Sequence, residues 1–278
     1  MTAIPTQSIP DAVGLVAGRG EFPVLVAKAA RDRGVSKLVV VGINGDTGPE
    51  ITQLADHVDW AHVGQLKKTI RAFQKQDIAN VIFAGQIKPS RLFKDLRPDL
   101  KALSLLLKLR ERNAETLFGA VAGAFEESGI HVLPSTTFME DSVADEGVLT
   151  KKKPGKGLRA DIDLGWRIAR EVSRLDIGQT VVVKKGTVLA VEGFEGTDKA
   201  IKRGGELGFG GVTVIKVAKP NHDMRFDVPC IGMRTVESLI EARAKALAIQ
   251  AGKTLILRRD EVLSACDENG IAVVGVNN

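Results

Sequence analysis

The chain has no tyrosine, and aromatic residues make up only 4% of its 278 residues. Rings that would stack single-stranded bases are therefore in short supply. The net charge of +5 favours anionic partners in general, from phosphorylated ligands to acidic lipid headgroups; nucleic acid is not expected among them. Cysteine is scarce. Cys230 and Cys266 form no CxxC spacing, which reads as core thiols in a reducing compartment. His57, His62, His131 and His222 are scattered without an HExxH pattern, so a zinc centre is not expected. No apolar run approaches the ~18 residues that span a bilayer. Residues 1–10 lack a basic segment followed by an apolar one, the mark of a leader. The expectation is a cytoplasmic protein that does not cross a membrane. Also missing are a P-loop, a GxSxG elbow and the ligand motifs of two-metal phosphoesterases, so any phosphate chemistry here uses another scaffold.

What is present is an alternation of apolar runs and helical patterns. Ala12 to Ala17, Lys37 to Val41, Trp60 to Val63, Asn80 to Ala84 and His131 to Leu133 read as strands. Phe22 to Asp32, Gly64 to Gln76, Leu100 to Glu111 and Ala114 to Ser128 carry apolar residues at helical spacing. This order implies right-handed crossovers and a parallel sheet. Residues 134–159 change character, ending in the basic, glycine-rich tip Lys151 to Gly157, which suggests a linker. Beyond it, Asp161 to Leu175 is an amphipathic helix, Thr180 to Val191 a hairpin turning at Lys185-Gly186, and Val212 to Val217 a strand. Lys199 to Arg203 opens a helix, Ser238 to Ala251 reads as one helix, and Thr254 to Leu257 and Ile271 to Val274 as strands. The expected architecture is α/β in two domains: an N-terminal Rossmann-like parallel sheet (1–133), a linker (134–159), and a C-terminal mixed-sheet domain (160–278) carrying an acidic site.

The chemistry-bearing stretches follow strand-like runs, where open α/β sheets place ligands. Gly18-Arg19-Gly20 follows the first strand and lets backbone N–H groups approach a phosphate or sugar. The full GxGxxG is absent, Pro23 follows three residues after Gly20, and Val41-Gly42-Ile43-Asn44 leaves no acidic residue after the second strand. A dinucleotide site of standard form is thus not expected. The carboxylates Glu140, Asp141, Glu192, Glu195, Asp198, Asp223 and Asp227 are suited to magnesium, which takes oxygen ligands and needs only one or two carboxylates beside a phosphate. In an extended segment, Arg225 and Asp227 would share a face, pairing a cation for phosphate with a carboxylate for metal or water. A structural ion pair fits that spacing equally.

Taken together, Leu15-Val16-Ala17-Gly18-Arg19-Gly20-Glu21-Phe22-Pro23, Asp176-Ile177-Gly178-Gln179-Thr180, Glu192-Gly193-Phe194-Glu195-Gly196-Thr197-Asp198 and Arg225-Phe226-Asp227-Val228-Pro229-Cys230-Ile231-Gly232 resemble the LpxI family of UDP-2,3-diacylglucosamine pyrophosphatases. The likeness covers nearly the whole chain beyond residues 1–10. The resemblance implies Mg2+-dependent hydrolysis to UMP and 2,3-diacylglucosamine 1-phosphate (lipid X) in lipid A synthesis, with water attacking the β phosphorus and two domains closing on the substrate. It carries the family's essential aspartate to Asp227.

On that basis the expected catalytic residues are Asp227, Asp198 and Arg225, and the metal ligands Asp227 and Asp223. Gly18, Arg19, Gly85, Lys88, Glu195, Gly196, Thr197, Lys216 and Lys219 are expected to bind substrate. Two acyl chains need an apolar cavity, for which Leu103 to Leu107, Phe118, Val121 and Phe125 are candidates. The Lys151 to Lys156 tip would dock on the anionic inner leaflet, making the enzyme peripheral to the membrane, and a homodimer is admitted. The competing reading is a lipid or nucleotide-sugar binding protein without turnover, suggested by the lack of any standard hydrolytic motif.

Overall fold

The computed structural model describes residues 9–87, 97–109, 114–219, 223–226 and 228–277. The chain divides into two units, residues 1–139 with 223–227 and residues 140–222 with 228–278.

In the first unit, β1 (Ala12–Ala17), β2 (Lys37–Ile43), β3 (His57–Ala61), β4 (Asn80–Ala84) and β5 (His131–Val132) form one sheet in the order β3-β2-β1-β4-β5. Every pairing in it is parallel. The unbroken apolar run Leu38 to Val41 is buried throughout, as a strand covered on both faces must be. The third strand begins earlier than the expected Trp60, because its register on β2 pairs His57 with Val39 and Ala61 with Ile43. α1 (Phe22–Asp32), α2 (Leu66–Gln74), α3 (Leu100–Lys108) and α4 (Ala114–Glu126) supply the covering layers. Phe73 of α2 and Phe125 of α4, both fully buried, meet with ring centroids 6.2 Å apart. Since β1 lies between β2 and β4, the strand order reverses there, the point at which open α/β sheets place ligands beyond the carboxyl ends of the strands.

The second unit contains β6 (Gly147–Val148), α5 (Lys156–Arg174), β7 (Thr180–Lys184), β8 (Thr187–Val191), α6 (Thr197–Leu207), β9 (Thr213–Lys216), β10 (Cys230–Ile231), α7 (Met233–Glu241), β11 (Ala246–Gln250), β12 (Leu255–Ile256), α8 (Arg259–Glu268) and β13 (Ala272–Val276). Its main sheet runs β6-β13-β11-β9-β7-β8. The three central strands β13, β11 and β9 are parallel, while β6, β7 and β8 pair antiparallel. The mixed sheet expected for this half is thus present. Apolar layers cover both faces: Ile201, Leu239 and Val262 on one, Ile162, Trp166 and Ala169 on the other.

Three boundaries differ from the sequence reading. The single helix expected over Ser238 to Ala251 is instead the end of α7 and the whole of β11. Arg243 takes a left-handed conformation (φ 49°) that stops the helix without a glycine, and the buried run Leu247 to Ile249 is too short for periodicity to separate helix from strand. The linker expected at 134–159 is not separate, since residues to Met139 go with the first unit and Glu140 onward with the second. β6 pairs with β13, and Leu149 N–H donates to Val273 O at 2.9 Å. Finally, Asp223 to Phe226, expected in the C-terminal domain, packs with the first unit.

The two cysteines are not alike. Cys266 is buried on α8, and desolvation pushes its thiol up to about 12. Cys230 is only half-buried, which corrects its expected place in the core. In the native protein a thiol-specific reagent is expected to label Cys230 first, and Cys266 only after denaturation. Mass spectrometry of the labelled peptides reads the order, and native labelling of Cys266 ahead of Cys230 would contradict this packing.

Candidate functional site

At the switch point of the first unit, two glycine turns are laced together. Gly18 N–H donates to Ala84 O at 2.8 Å, Arg19 N–H to Gln86 O at 2.6 Å, and Gln86 N–H to Arg19 O at 3.0 Å. The approach is close enough that a Cβ on Gly18 would sit 2.7 Å from Gln86 O. Gly85 has φ +91°, and a Cβ there would meet Arg19 O at 2.8 Å, so both positions require glycine. Arg19, Gly20 and Gly85 are exposed at this edge, and α1 begins directly after the turn.

Asp223 to Phe226 belongs to the same unit. The segment is a turn, closed by Phe226 N–H to Asp223 O at 3.0 Å, and not the extended run that would put Arg225 and Asp227 on one face. Ser135, just past β5, anchors it. Its N–H donates to Met224 O at 2.8 Å, and its hydroxyl lies 2.6 Å from Phe83 O and 2.8 Å from Arg225 O. The Phe226 ring stacks on Phe118 (5.6 Å, 16°) and meets Phe83 edge-on at 5.2 Å. These aromatic contacts, between rings that are partly buried or, for Phe118, still exposed, explain why a segment from the C-terminal half packs here. The Arg225 guanidinium takes both carboxylate oxygens of Asp223, Nε to Oδ1 at 2.9 Å and Nη2 to Oδ2 at 2.7 Å. It also lies 5.4 Å from the Phe226 ring centroid.

In the second unit the hairpin ends at Val191, and Gly196 (φ 86°) opens α6 at Thr197. Glu192, only 8% exposed, accepts from the Thr197 hydroxyl on Oε1 at 3.0 Å. Its Oε2 is buried with no hydrogen-bond partner among the described residues. Glu195 accepts from Arg203 and from Gly193 N–H; the bond to Arg203, first, and the backbone N–H groups hold its carboxyl below the usual carboxylate range. Asp198 pairs with Arg234 at 2.9 Å, Lys216 Nζ donates to Cys230 O at 3.0 Å, and Lys219 Nζ to Asp176 at 2.5 Å. The cations expected to meet phosphate are therefore bonded within their own unit.

Residues 12–142 match the LpxI N-terminal domain and residues 145–274 the LpxI C-terminal domain. The chain belongs to the LpxI family. It is 32% identical to the UDP-2,3-diacylglucosamine pyrophosphatase LpxI of Caulobacter vibrioides, across 95% of this chain and 97% of that protein. Among solved structures, the biotin carboxylase domain of the Hydrogenobacter thermophilus 2-oxoglutarate carboxylase aligns at 16% identity and a TM-score of 0.27, over 63% of this chain and 35% of that one. The biotin carboxylase subunit of a pyruvate carboxylase does so at 16% and 0.27, over 66% and 35%. Such scores carry no argument about this LpxI chain.

Of the expected site residues, Gly18, Arg19 and Gly85 are brought together, and Asp223 and Arg225 pack in that same unit. Glu195, Gly196, Thr197, Asp198, Lys216 and Lys219 lie in the other unit. Lys88 and Asp227 fall outside the described residues. Among the described residues no three His, Cys, Asp or Glu side chains are grouped to hold a metal ion. Both oxygens of Asp223, expected as a metal ligand, accept from Arg225, so a cation held there would share this carboxylate with the guanidinium. Sequence reasoning did not choose Glu192 from its carboxylate set, nor Ser135; burial and a cross-chain hydrogen bond mark them, and neither leaves a local signal.

Gly85→Ala is expected to lower the unfolding free energy by about 1–3 kcal/mol, seen as a lower denaturant midpoint at unchanged slope. An alanine variant as stable as the parent would mean that this turn is free to relax.

Proposed function

We propose that this LpxI protein hydrolyses the pyrophosphate bond of UDP-2,3-diacylglucosamine, releasing UMP and 2,3-diacylglucosamine 1-phosphate, a step of lipid A synthesis. The observation that carries this reading is the near full-length match to the Caulobacter enzyme together with both LpxI domains. Water adds to the β phosphorus, the bond from that phosphorus to the bridging oxygen breaks, and the oxygen leaves with UMP. The reaction needs a carboxylate beside the diphosphate, to hold a cation or to take the proton of the attacking water. Asp227 is the residue proposed for it. Packing of the preceding Phe226 on Phe83 and Phe118, and the bonds from Ser135 to Met224 O and Arg225 O, support that choice, because a reacting group gains from a rigid support.

Mg2+ belongs to the proposal. It accepts oxygen donors and keeps several waters, so a diphosphate and one carboxylate are enough; bound there, it would offset the charge of the leaving phosphate. The N–H groups of Gly18, Arg19 and Gln86 are used in lacing the two turns together, which corrects the expectation that they approach a phosphate. What this edge offers to an anionic or hydroxylated part of the substrate is the exposed side chain of Arg19. A diacylated substrate resides in a bilayer, so we place the enzyme at the cytoplasmic membrane surface; among the described residues no helix is long and apolar enough to cross a membrane.

Purified protein is expected to release UMP from UDP-2,3-diacylglucosamine, to stop with EDTA and to recover with Mg2+. Asp227→Ala should lose about 10²–10⁴-fold in turnover while its circular dichroism is unchanged; undiminished turnover would refute the assignment. Retention of intact substrate without any turnover by the parent protein would favour a binding protein instead.

A further inference from the structure

α3 turns its most apolar side to solvent. Leu100, Leu103 and Leu107 are 79%, 45% and 72% exposed, and Ser104 is exposed with them. These positions sit at i, i+3, i+4 and i+7, one stripe of a helix. The opposite side, Ala102 and Leu105, packs into the core of the first unit. The leucines expected to wall an acyl cavity thus divide: Leu105 joins the core, while Leu103 and Leu107 face outward.

Beside this stripe the charge carried by the two helices is of one sign, Asp99 at their junction being the acidic residue there. α2 carries Lys67, Lys68 and Arg71, all exposed, and α3 carries Lys101 and Lys108 in its sequence; neither helix contains an acidic residue. Asp99, between them, caps both. Its carboxylate accepts from Ala102 N–H at 3.0 Å and Lys67 N–H at 2.5 Å, which ties the two helix N-termini together. Where the helices meet, Lys67, Arg71, Lys101 and Leu100 line an open groove of about 390 Å³. Cations flanking an exposed leucine stripe match the two parts of a bilayer surface, acyl boundary and anionic headgroup. Water offers the leucines nothing comparable, and a patch of this kind on a soluble domain marks an interaction site.

We propose that the α2–α3 face is the membrane-docking surface of this protein, with Leu100, Leu103 and Leu107 entering the headgroup–acyl boundary and Lys67, Arg71 and their neighbours meeting anionic lipid phosphates. The proposal rests on the functional reading above only for the reason such a protein visits a membrane. Its test contains no substrate, so the two stand or fall separately. Lys101 Nζ is held by Ala124 O and Ser128 Oγ, as Lys152 Nζ of the basic tip is by Gly270 O, so the exposed Lys67, Lys68 and Arg71 carry the charge of this face. The tip at Lys151 to Lys153 is less suited to the role because no leucine stripe accompanies it.

The full chain is mixed with vesicles of phosphatidylethanolamine and phosphatidylglycerol, and with vesicles of phosphatidylethanolamine and phosphatidylcholine, and bound protein is measured by co-sedimentation. Binding is expected to the anionic vesicles, and to weaken with added salt. Leu100→Asp with Leu107→Asp should reduce it about tenfold or more, and Lys67→Ala with Arg71→Ala by about an order of magnitude. Both pairs lie at exposed positions, and thermal unfolding checks that each variant stays folded. Replacing Lys151, Lys152 and Lys153 by alanine should leave binding in place. The proposal is overturned by equal binding to both vesicle types, by either α2–α3 variant binding like the parent, or by loss of binding in the tip variant alone. It is overturned too if sedimentation equilibrium shows a dimer that the leucine variant dissociates, since the stripe would then be covered by a second copy.

Discussion

The site depends on one aromatic contact. Phe226 comes from the C-terminal half of the chain, yet its ring lies against Phe118 and Phe83, and Phe83 in turn meets the buried Phe125 edge-on at 5.2 Å. Ser135 closes the arrangement by bonding Met224 and reaching the carbonyls of Phe83 and Arg225. Aromatic burial of this kind is worth more than a polar turn contributes for itself, and it carries Asp223 and Arg225 with it. The residue proposed as catalytic follows Phe226 directly in the chain. The half-buried Phe226 ring and the Ser135 bonds hold the chain up to residue 226, and a reacting group gains from a rigid support.

Electrostatics at the two edges follow a common rule. Charged side chains that looked available in the sequence are occupied by partners in their own unit: Arg225 by Asp223, Asp198 by Arg234, Glu195 by Arg203, Lys219 by Asp176. All these pairs are partly exposed and contribute little stability individually. Their effect is to hold side chains in defined rotamers around loops that would otherwise wander. Glu192 is the exception, buried with one oxygen bonded and the other bare. Among the described residues that second oxygen has no partner, and a desolvated carboxylate with spare acceptor capacity is costly.

Much of the architecture was legible in local pattern. The parallel first sheet, the hairpin turning at Lys185-Gly186 and the glycine turn after β1 all follow from unbroken apolar runs and from residues with special backbone freedom. The failures share a cause. β11 looked like more helix because a buried strand between two helices has no alternation to display. Asp223 to Phe226 looked extended and C-terminal because nothing within it announces that Phe226 packs against Phe83 and Phe118 of the first unit. The leucines of α3 were expected together as one cavity wall because the sequence records how apolar a residue is and not which side of its helix meets the sheet.

By itself, then, the sequence determined the class of fold, the strands that end in the glycine turns and the family to which the chain belongs, since these rest on periodicity and on strings of neighbouring residues. Only the tertiary structure decided which unit holds the Asp223–Phe226 turn, which charges are already paired and which leucines are left to solvent. Those outcomes are set by contacts between residues far apart in the chain, whose energies depend on burial that no local pattern encodes.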